Sequence, residues 1–269
     1  MSPMPSPPPL KRDPLRIEIC KDPEDLARHA AGLFVGYAGR ALGSRGRFRV
    51  ALSGGRTPRR MYAALTLEHV ISQIVWPAVQ LFFSDERCVP PDDDRSNYRM
   101  AHEALLSKLP IPEENIHRMR GELEDPDAAA RAYEEELRRE FAPGEVALDL
   151  VMLGMGADGH TASLFPGEPA SKETDRLVTA ARPAGGPARL TLTFPAINAA
   201  RAVMILVSGE GKAEIARRVL GAETRAEEVP IQSVRPADGE VVWLLDAAAA
   251  SKLSPPDASN QARIPDPGN

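Results

Sequence analysis

The stretch LDLVMLGMGADGHTASLFPG, residues 148–167, joins an apolar run to a glycine-rich loop that carries an acid and a histidine. Leu148 to Leu153 reads as a strand covered on both faces, the pattern of a parallel sheet flanked by helices. The spacing of Gly154, Gly156 and Gly159 matches a dinucleotide fingerprint, but that fingerprint needs a long helix opening at its third glycine. Phe165-Pro166-Gly167 ends any helix within two turns, so the dinucleotide reading is rejected. What remains is a loop presenting Asp158 and His160 just past the carboxyl end of a strand, where open α/β sheets bind ligands. A lone histidine is more often structural than catalytic. Three glycines and an acid around this one favour general-base chemistry.

On both sides of this stretch, strand-like and helix-like runs alternate, which predicts an α/β fold with a mostly parallel sheet flanked by helices. Strands are expected at Leu15–Cys20, Phe48–Leu52, Val79–Phe83, Leu177–Ala181, Arg189–Phe194, Ala202–Val207 and Val241–Leu245. Helices are expected at Pro23–Leu42, Pro58–Leu67, Ser96–Lys108, Pro126–Phe141 and Glu210–Leu220. The first of these carries Leu26, Ala30, Leu33, Phe34, Tyr37 and Ala41 on one face.

Three further strand-to-loop junctions carry chemistry. In Ser53-Gly54-Gly55-Arg56-Thr57-Pro58 the glycines allow close backbone approach, Thr57 is the expected N-cap and Pro58 the first helical residue. The free N–H groups at such a helix start favour a phosphate, although the Gly-Lys-Ser/Thr ending of a nucleotide loop is missing. Ser84-Asp85-Glu86-Arg87 sets two carboxylates and a guanidinium at a strand end. The Asp92-Asp93-Asp94 run that follows reads as a solvated turn rather than a metal cluster. In Ser208-Gly209-Glu210-Gly211-Lys212 the lysine sits in the first helical turn, where it opposes the helix dipole unless an anion is bound. Arg189, at a strand start, is a further anion-binding candidate.

Bulk properties exclude several classes. With 269 residues, 43% hydrophobic and 26% charged, the chain is long enough for one large α/β domain with a real core. A net charge of −5 and the absence of a basic run interleaved with aromatics argue against nucleic acid as a partner. No apolar run reaches the roughly twenty residues of a membrane span. Cys20 and Cys88 are too few for a disulfide framework or a metal cage and read as free thiols in a reducing, cytoplasmic setting. Cys88 lies beside Arg87, but no thiol-hydrolase histidine motif accompanies it. One domain is expected over residues 14–252, between disordered Pro-rich tails at 1–13 and 253–269. A monomer is the expectation.

The segments SGGRTP (53–58), FFSDERCVPPDDDRSNY (82–98), LVMLGMGADGHTASLFPG (150–167), RLTLTFPAIN (189–198) and LVSGEGKAE (206–214), in this order, resemble the 6-phosphogluconolactonase family. The resemblance runs from about Leu15 to Asp246, and its most specific part is GADGHTASLFPG. It implies a modified Rossmann-like single domain shared with glucosamine-6-phosphate deaminases. It also implies hydrolysis of 6-phosphoglucono-1,5-lactone in the oxidative pentose phosphate pathway, with no metal or organic cofactor. By the same resemblance His160 is the general base and Ser53, Gly54, Gly55, Arg87, Arg189 and Lys212 bind the phosphate. Asp85 matches an acid of the deaminase relatives and is assigned to substrate binding. Those relatives carry a proton-relay glutamate five residues after the histidine, where this chain has Phe165. One departure from the lactonase pattern is Pro230-Ile231-Gln232-Ser233, where Pro-Ala-Ser is expected.

A lactone ester needs an activated water and help for the oxyanion. His160 is expected to accept the water's proton, and Asp158 to orient the histidine or the water. Two residues of separation do not by themselves put the Asp158 carboxylate on the ring. Loop N–H groups or Arg87 are expected at the oxyanion. Ser53 and Ser163 lack the G-x-S-x-G elbow of a nucleophile. A deaminase or isomerase is disfavoured by Phe165. A non-catalytic sugar-phosphate sensor is disfavoured because no helix-turn-helix module fits outside residues 14–252.

Overall fold

The computed structural model describes residues 15–221 and 228–253. The tails expected at 1–13 and 253–269 lie outside them, apart from Leu253, which packs on the core. Nine strands run in chain order: β1 Leu15–Cys20, β2 Phe48–Leu52, β3 Val79–Phe83, β4 Asp85–Arg87, β5 Leu150–Gly154, β6 Val178–Ala181, β7 Arg189–Leu192, β8 Ala202–Val207 and β9 Glu240–Asp246. The helices are α1 Pro23–Arg45, α2 Arg56–Leu65, α3 Glu68–Ile71, α4 Asn97–Ala104, α5 Pro126–Arg139, α6 Phe194–Asn198 and α7 Ala213–Leu220.

Six strands form one all-parallel sheet in the order β1-β9-β8-β5-β2-β3. All six residues of β8 and all five of β3 are buried, because helices cover both faces and leave no wet side. From β2 the chain steps outward to β3, whereas from β5 it steps the other way to β8 and β9. The switch point therefore lies between β2 and β5, and a crevice opens above their carboxyl ends. The loops that follow those two strands carry SGG and GADGH.

Local chemistry sets the helix ends. Asp22 caps α1 by accepting the Asp25 N–H at 2.8 Å, Pro23 opens the helix, and Gly46 closes it at φ 68°. Asp125 and Pro126 open α5 in the same way. Several expected boundaries are corrected. α1 runs on to Arg45. α2 starts at Arg56 with Gly55 as its N-cap and no side-chain cap, so Thr57 lies inside the first turn and Pro58 is the third helical residue. Proline is still tolerated there, since the first four helical N–H groups have no intrahelical partner. α4 ends at Ala104 and continues only as a 3₁₀ turn at Leu106–Lys108. Glu210–Lys212 is likewise a 3₁₀ turn, and α7 proper begins at Ala213.

β4, read above as part of a loop, is three charged residues long. It pairs antiparallel with β7, and β7 with β6, to form a second, three-stranded sheet. This small sheet places Arg87 directly opposite Arg189.

Candidate active site

A cleft of about 470 Å³ sits over the switch point. It is lined by Ser53, Gly54, Gly55, Asp85, Arg87, His160, Arg189 and Lys212, so every expected site residue except Asp158 faces it. Asp158 stands beside it. The His160 Nδ1 lies 2.6 Å from Asp158 Oδ1, and the same oxygen accepts the His160 N–H at 3.2 Å. A direct bond therefore joins the two side chains across a two-residue separation. A carboxylate can only accept, so Nδ1 carries a proton, and the neutral form of the ring keeps its lone pair on Nε2. Partial burial pushes the Asp158 carboxyl up, but the N–H, charge and ring of His160 outweigh it and hold the carboxyl below its ordinary range.

Gly156 makes this pair possible. A Cβ on Gly156 would fall 2.1 Å from His160 Nδ1 and 2.5 Å from Asp158 Oδ1. The main chain ties the loop together: Gly156 N–H donates to His160 O at 2.8 Å, Gly159 N–H to Gly156 O at 3.2 Å, and Ile231 N–H to Gly159 O at 3.1 Å. The Ile231 contact is made by backbone, so the side-chain departure at Pro230–Ser233 leaves it intact. The Gly156, Gly159 and His160 amides are all engaged, which leaves them unavailable to an oxyanion.

The cations gather on the other walls. Directly opposed arginines on paired strands repel, so the Arg87–Arg189 juxtaposition is a cost the fold carries in the absence of an anion. Burial, opposed by Asp85 and reinforced by Arg87, lowers the Arg189 pKa. Its buried Nε has no hydrogen-bond partner among the described residues. The Arg189 guanidinium lies 5.4 Å from the Phe165 ring centroid, and that ring lies 4.4 Å from the His160 ring. Phe165 therefore occupies the space between base and cation. Lys212 makes no ion pair among the described residues. Burial lowers its pKa, Asp158 opposes this, and Arg56 adds to it.

Some site residues were not singled out from sequence. Asn97 bridges Asp85 and Arg87. Arg56 and Arg60 line the cleft from α2. Asp246, at the end of β9, accepts from Ser208 Oγ at 2.6 Å and Gly209 N–H at 3.0 Å, fixing the loop that carries Lys212. A buried acid ending an apolar strand was the available signal for that. Ser163 is fully buried and donates to Asp85 Oδ2 at 2.7 Å, so it props an acid and is not a nucleophile. Cys88 lies outside the cleft, and burial raises its thiol to about 11. Asp93 and Asp94 pair with Arg95 and Arg99, as expected of a solvated turn. No described group of His, Cys, Asp and Glu side chains could hold a metal ion.

A parallel-sheet fold with a histidine–carboxylate pair and a ring of cations at its switch point defines a class of α/β enzymes that act on phosphorylated sugars. The model for glucosamine-6-phosphate isomerases/6-phosphogluconolactonase matches residues 21–243. A 6-phosphogluconolactonase of a Nostoc species is 40% identical over 241 residues, covering 88% of this chain and 98% of its own. That of Mycobacterium tuberculosis is 41% identical over 250 residues, covering 88% and 98%. Among solved structures, the 6-phosphogluconolactonase of Trypanosoma cruzi superposes with a TM-score of 0.78 at 32% identity, covering 89% of this chain and 97% of its own. The chain belongs to the glucosamine-6-phosphate isomerase/6-phosphogluconolactonase family.

Proposed function

We propose that this protein hydrolyses 6-phospho-D-glucono-1,5-lactone to 6-phospho-D-gluconate, the lactonase step of the oxidative pentose phosphate pathway. Relatives named 6-phosphogluconolactonase support the reaction. The observation that carries the mechanism is the 2.6 Å Asp158–His160 bond at the edge of a cation-lined cleft. His160 Nε2 takes a proton from water as the water oxygen bonds to C1 of the lactone. General-base help of this kind is worth about 10²–10⁴ in rate. Asp158 stabilises the resulting imidazolium. The C1–ring oxygen bond then breaks, His160 returns the proton to the departing oxygen, and the new acid ionises to a carboxylate.

With the Gly156, Gly159 and His160 amides engaged, the oxyanion falls to the guanidinium wall of Arg87 and Arg189. The phosphate sits against Ser53, Gly54, Gly55 and Lys212, and its binding holds C1 over the water. Asp85, propped by Ser163, accepts from a sugar hydroxyl. Phe165 cannot carry a proton, which separates this site from a ring-opening isomerase or deaminase. No helix is long and apolar enough to cross a membrane, among the described residues. Two free cysteines fit a reducing cytoplasm, and we take the enzyme to act as a monomer.

The test is lactone hydrolysis with substrate generated in place by glucose-6-phosphate dehydrogenase and product followed through 6-phosphogluconate dehydrogenase. Wild type, His160→Ala and a blank run together, because the lactone hydrolyses unaided. Acceleration by wild type and its loss in the variant are expected. A wild-type rate equal to the blank would remove the lactonase reading.

A further inference from the structure

We propose that Asn97 is a positioning residue that holds Asp85 and Arg87 apart, so that both meet the substrate instead of each other. The inference rests on reading the cleft as a sugar-phosphate site. Asp85 and Arg87 are two apart on β4 and so share one face of the small sheet. An acid and an arginine so placed are within reach of a direct ion pair, yet each is bonded to Asn97 instead. The Asn97 side chain stands between them. Its Nδ2 donates to Asp85 Oδ1 at 3.0 Å and to Asp85 O at 2.9 Å, while its Oδ1 accepts from Arg87 Nη1.

The chemistry of the partners fixes the amide's orientation: a guanidinium only donates, and a carboxylate or carbonyl only accepts. A side-chain amide is neutral and serves both at once, donating through Nδ2 and accepting through Oδ1. The same amide also lies against the glycine loop. A Cβ on Gly54 would sit 1.9 Å from Asn97 Oδ1, so glycine at 54 and asparagine at 97 fit each other.

Glu86 anchors the arrangement from the opposite face of β4. Its buried carboxylate accepts from Asn97 N–H at 2.7 Å, Tyr98 N–H at 2.8 Å, Ser96 Oγ at 2.9 Å and Arg87 N–H at 2.7 Å. The start of α4 is thereby clamped to β4, and the Asn97 side chain is turned back over the strand. Arg87 Nη1 also donates to Arg95 O at 2.8 Å, so this nitrogen is held by two acceptors while the residue lines the cleft.

Two variants test this. Asn97→Ala removes the spacer, and Asn97→Asp keeps its shape but replaces the donor to Asp85 with a second carboxylate. Both keep the backbone N–H that Glu86 grips. In a crystal structure of Asn97→Ala, Arg87 is expected to swing onto Asp85 as a direct ion pair. In both variants kcat/KM for the lactone falls about 10- to 100-fold, the loss expected for hydrogen bonds to charged groups, with kcat lowered because Arg87 leaves the oxyanion and KM raised because Asp85 leaves the sugar hydroxyl. A purely structural residue would lower the thermal midpoint and leave kcat/KM of the folded enzyme unchanged. Arg87 unmoved in the alanine variant, or kcat/KM near wild type in both variants, would each overturn the proposal. If the wild-type protein fails to hydrolyse the lactone, the functional reading falls, while the Asn97→Ala structure still decides the spacer.

Discussion

Gly156→Ala perturbs the candidate dyad without touching either of its members. The added methyl carbon would sit 2.1 Å from His160 Nδ1, 2.3 Å from His160 Cε1 and 2.5 Å from Asp158 Oδ1. Carbon–nitrogen contact needs about 3.5 Å, so the imidazole has to retreat by roughly 1 Å or more. A misplacement of about 1 Å costs on the order of 10²-fold when a reacting group must meet its target in line. We therefore expect kcat to fall about 100-fold, with KM changed far less, because the anion-binding walls stand on other strands. The coupled assay reads both parameters against the blank. The decisive control is the same substitution in a His160→Ala background. With the ring removed only the Asp158 carboxylate still meets the methyl, and it has no base left to orient, so Gly156→Ala should cost little further there, the non-additivity expected of groups that act as a unit. Retention of more than about a third of wild-type kcat by Gly156→Ala would refute the geometry. So would an undiminished penalty in the His160→Ala background.

Asp158→Asn removes the charge that faces the imidazolium and lets the ring take the wrong tautomer. Hydrogen bonds to charged groups contribute about 1.5–3 kcal/mol, so kcat should fall about 10- to 100-fold, and a value within threefold of wild type would sink the orienting role. Lys212 is needed in its charged form to hold a phosphate, and burial lowers its pKa. The Kd for 6-phosphogluconate, followed by calorimetry, should rise with pH through that lowered value, below the pH at which an exposed lysine would respond. Lys212→Arg should flatten this limb, and an unchanged limb would show that another group titrates. The same depressed pKa means that the folded state disfavours the ammonium, a penalty fully present below the folded pKa and relieved as pH rises toward the unfolded one. Lys212→Met should accordingly raise the thermal midpoint at neutral pH while weakening binding. Tyr133→Phe leaves the buried Phe83 N–H, now bonded to Tyr133 Oη at 2.8 Å, without a partner. It should cost about 1–3 kcal/mol in urea unfolding with kinetics unchanged, and a neutral result would mean that the N–H finds another acceptor.

The large sheet was legible because its strands advertise themselves. Ala202–Val207 is apolar throughout, as a strand with no wet face must be, and its bounds read from sequence are those observed. Helix starts were less legible. At Ser53–Pro58 a threonine followed by proline imitates a capped entry, but the chain enters α2 through Gly55 at φ 109°, a conformation that glycine reaches without strain. β4 was invisible for a related reason. Asp85, Glu86 and Arg87 have poor strand propensity, and only pairing with a strand a hundred residues away makes them one.

The limits at the site follow the same division. Residues on the loops after β2, β5 and β8 could be collected from sequence because each loop is a local event, with its glycines, charge and strand end together. What sequence could not supply was the distance between loops. Asp158 and His160 looked too close to bond, yet the Gly159 turn, at φ 80°, lets a two-residue separation close to a 2.6 Å contact. Arg87 and Arg189, a hundred residues apart, were collected from separate stretches of sequence with no sign that they meet. The antiparallel β4–β7 pair makes them neighbours, so they form one cationic wall built from two strands. The small sheet thus carries chemistry that the large sheet's loops cannot. It sets two like charges opposite each other on paired strands that both line the cleft, a repulsion that a bound anion relieves.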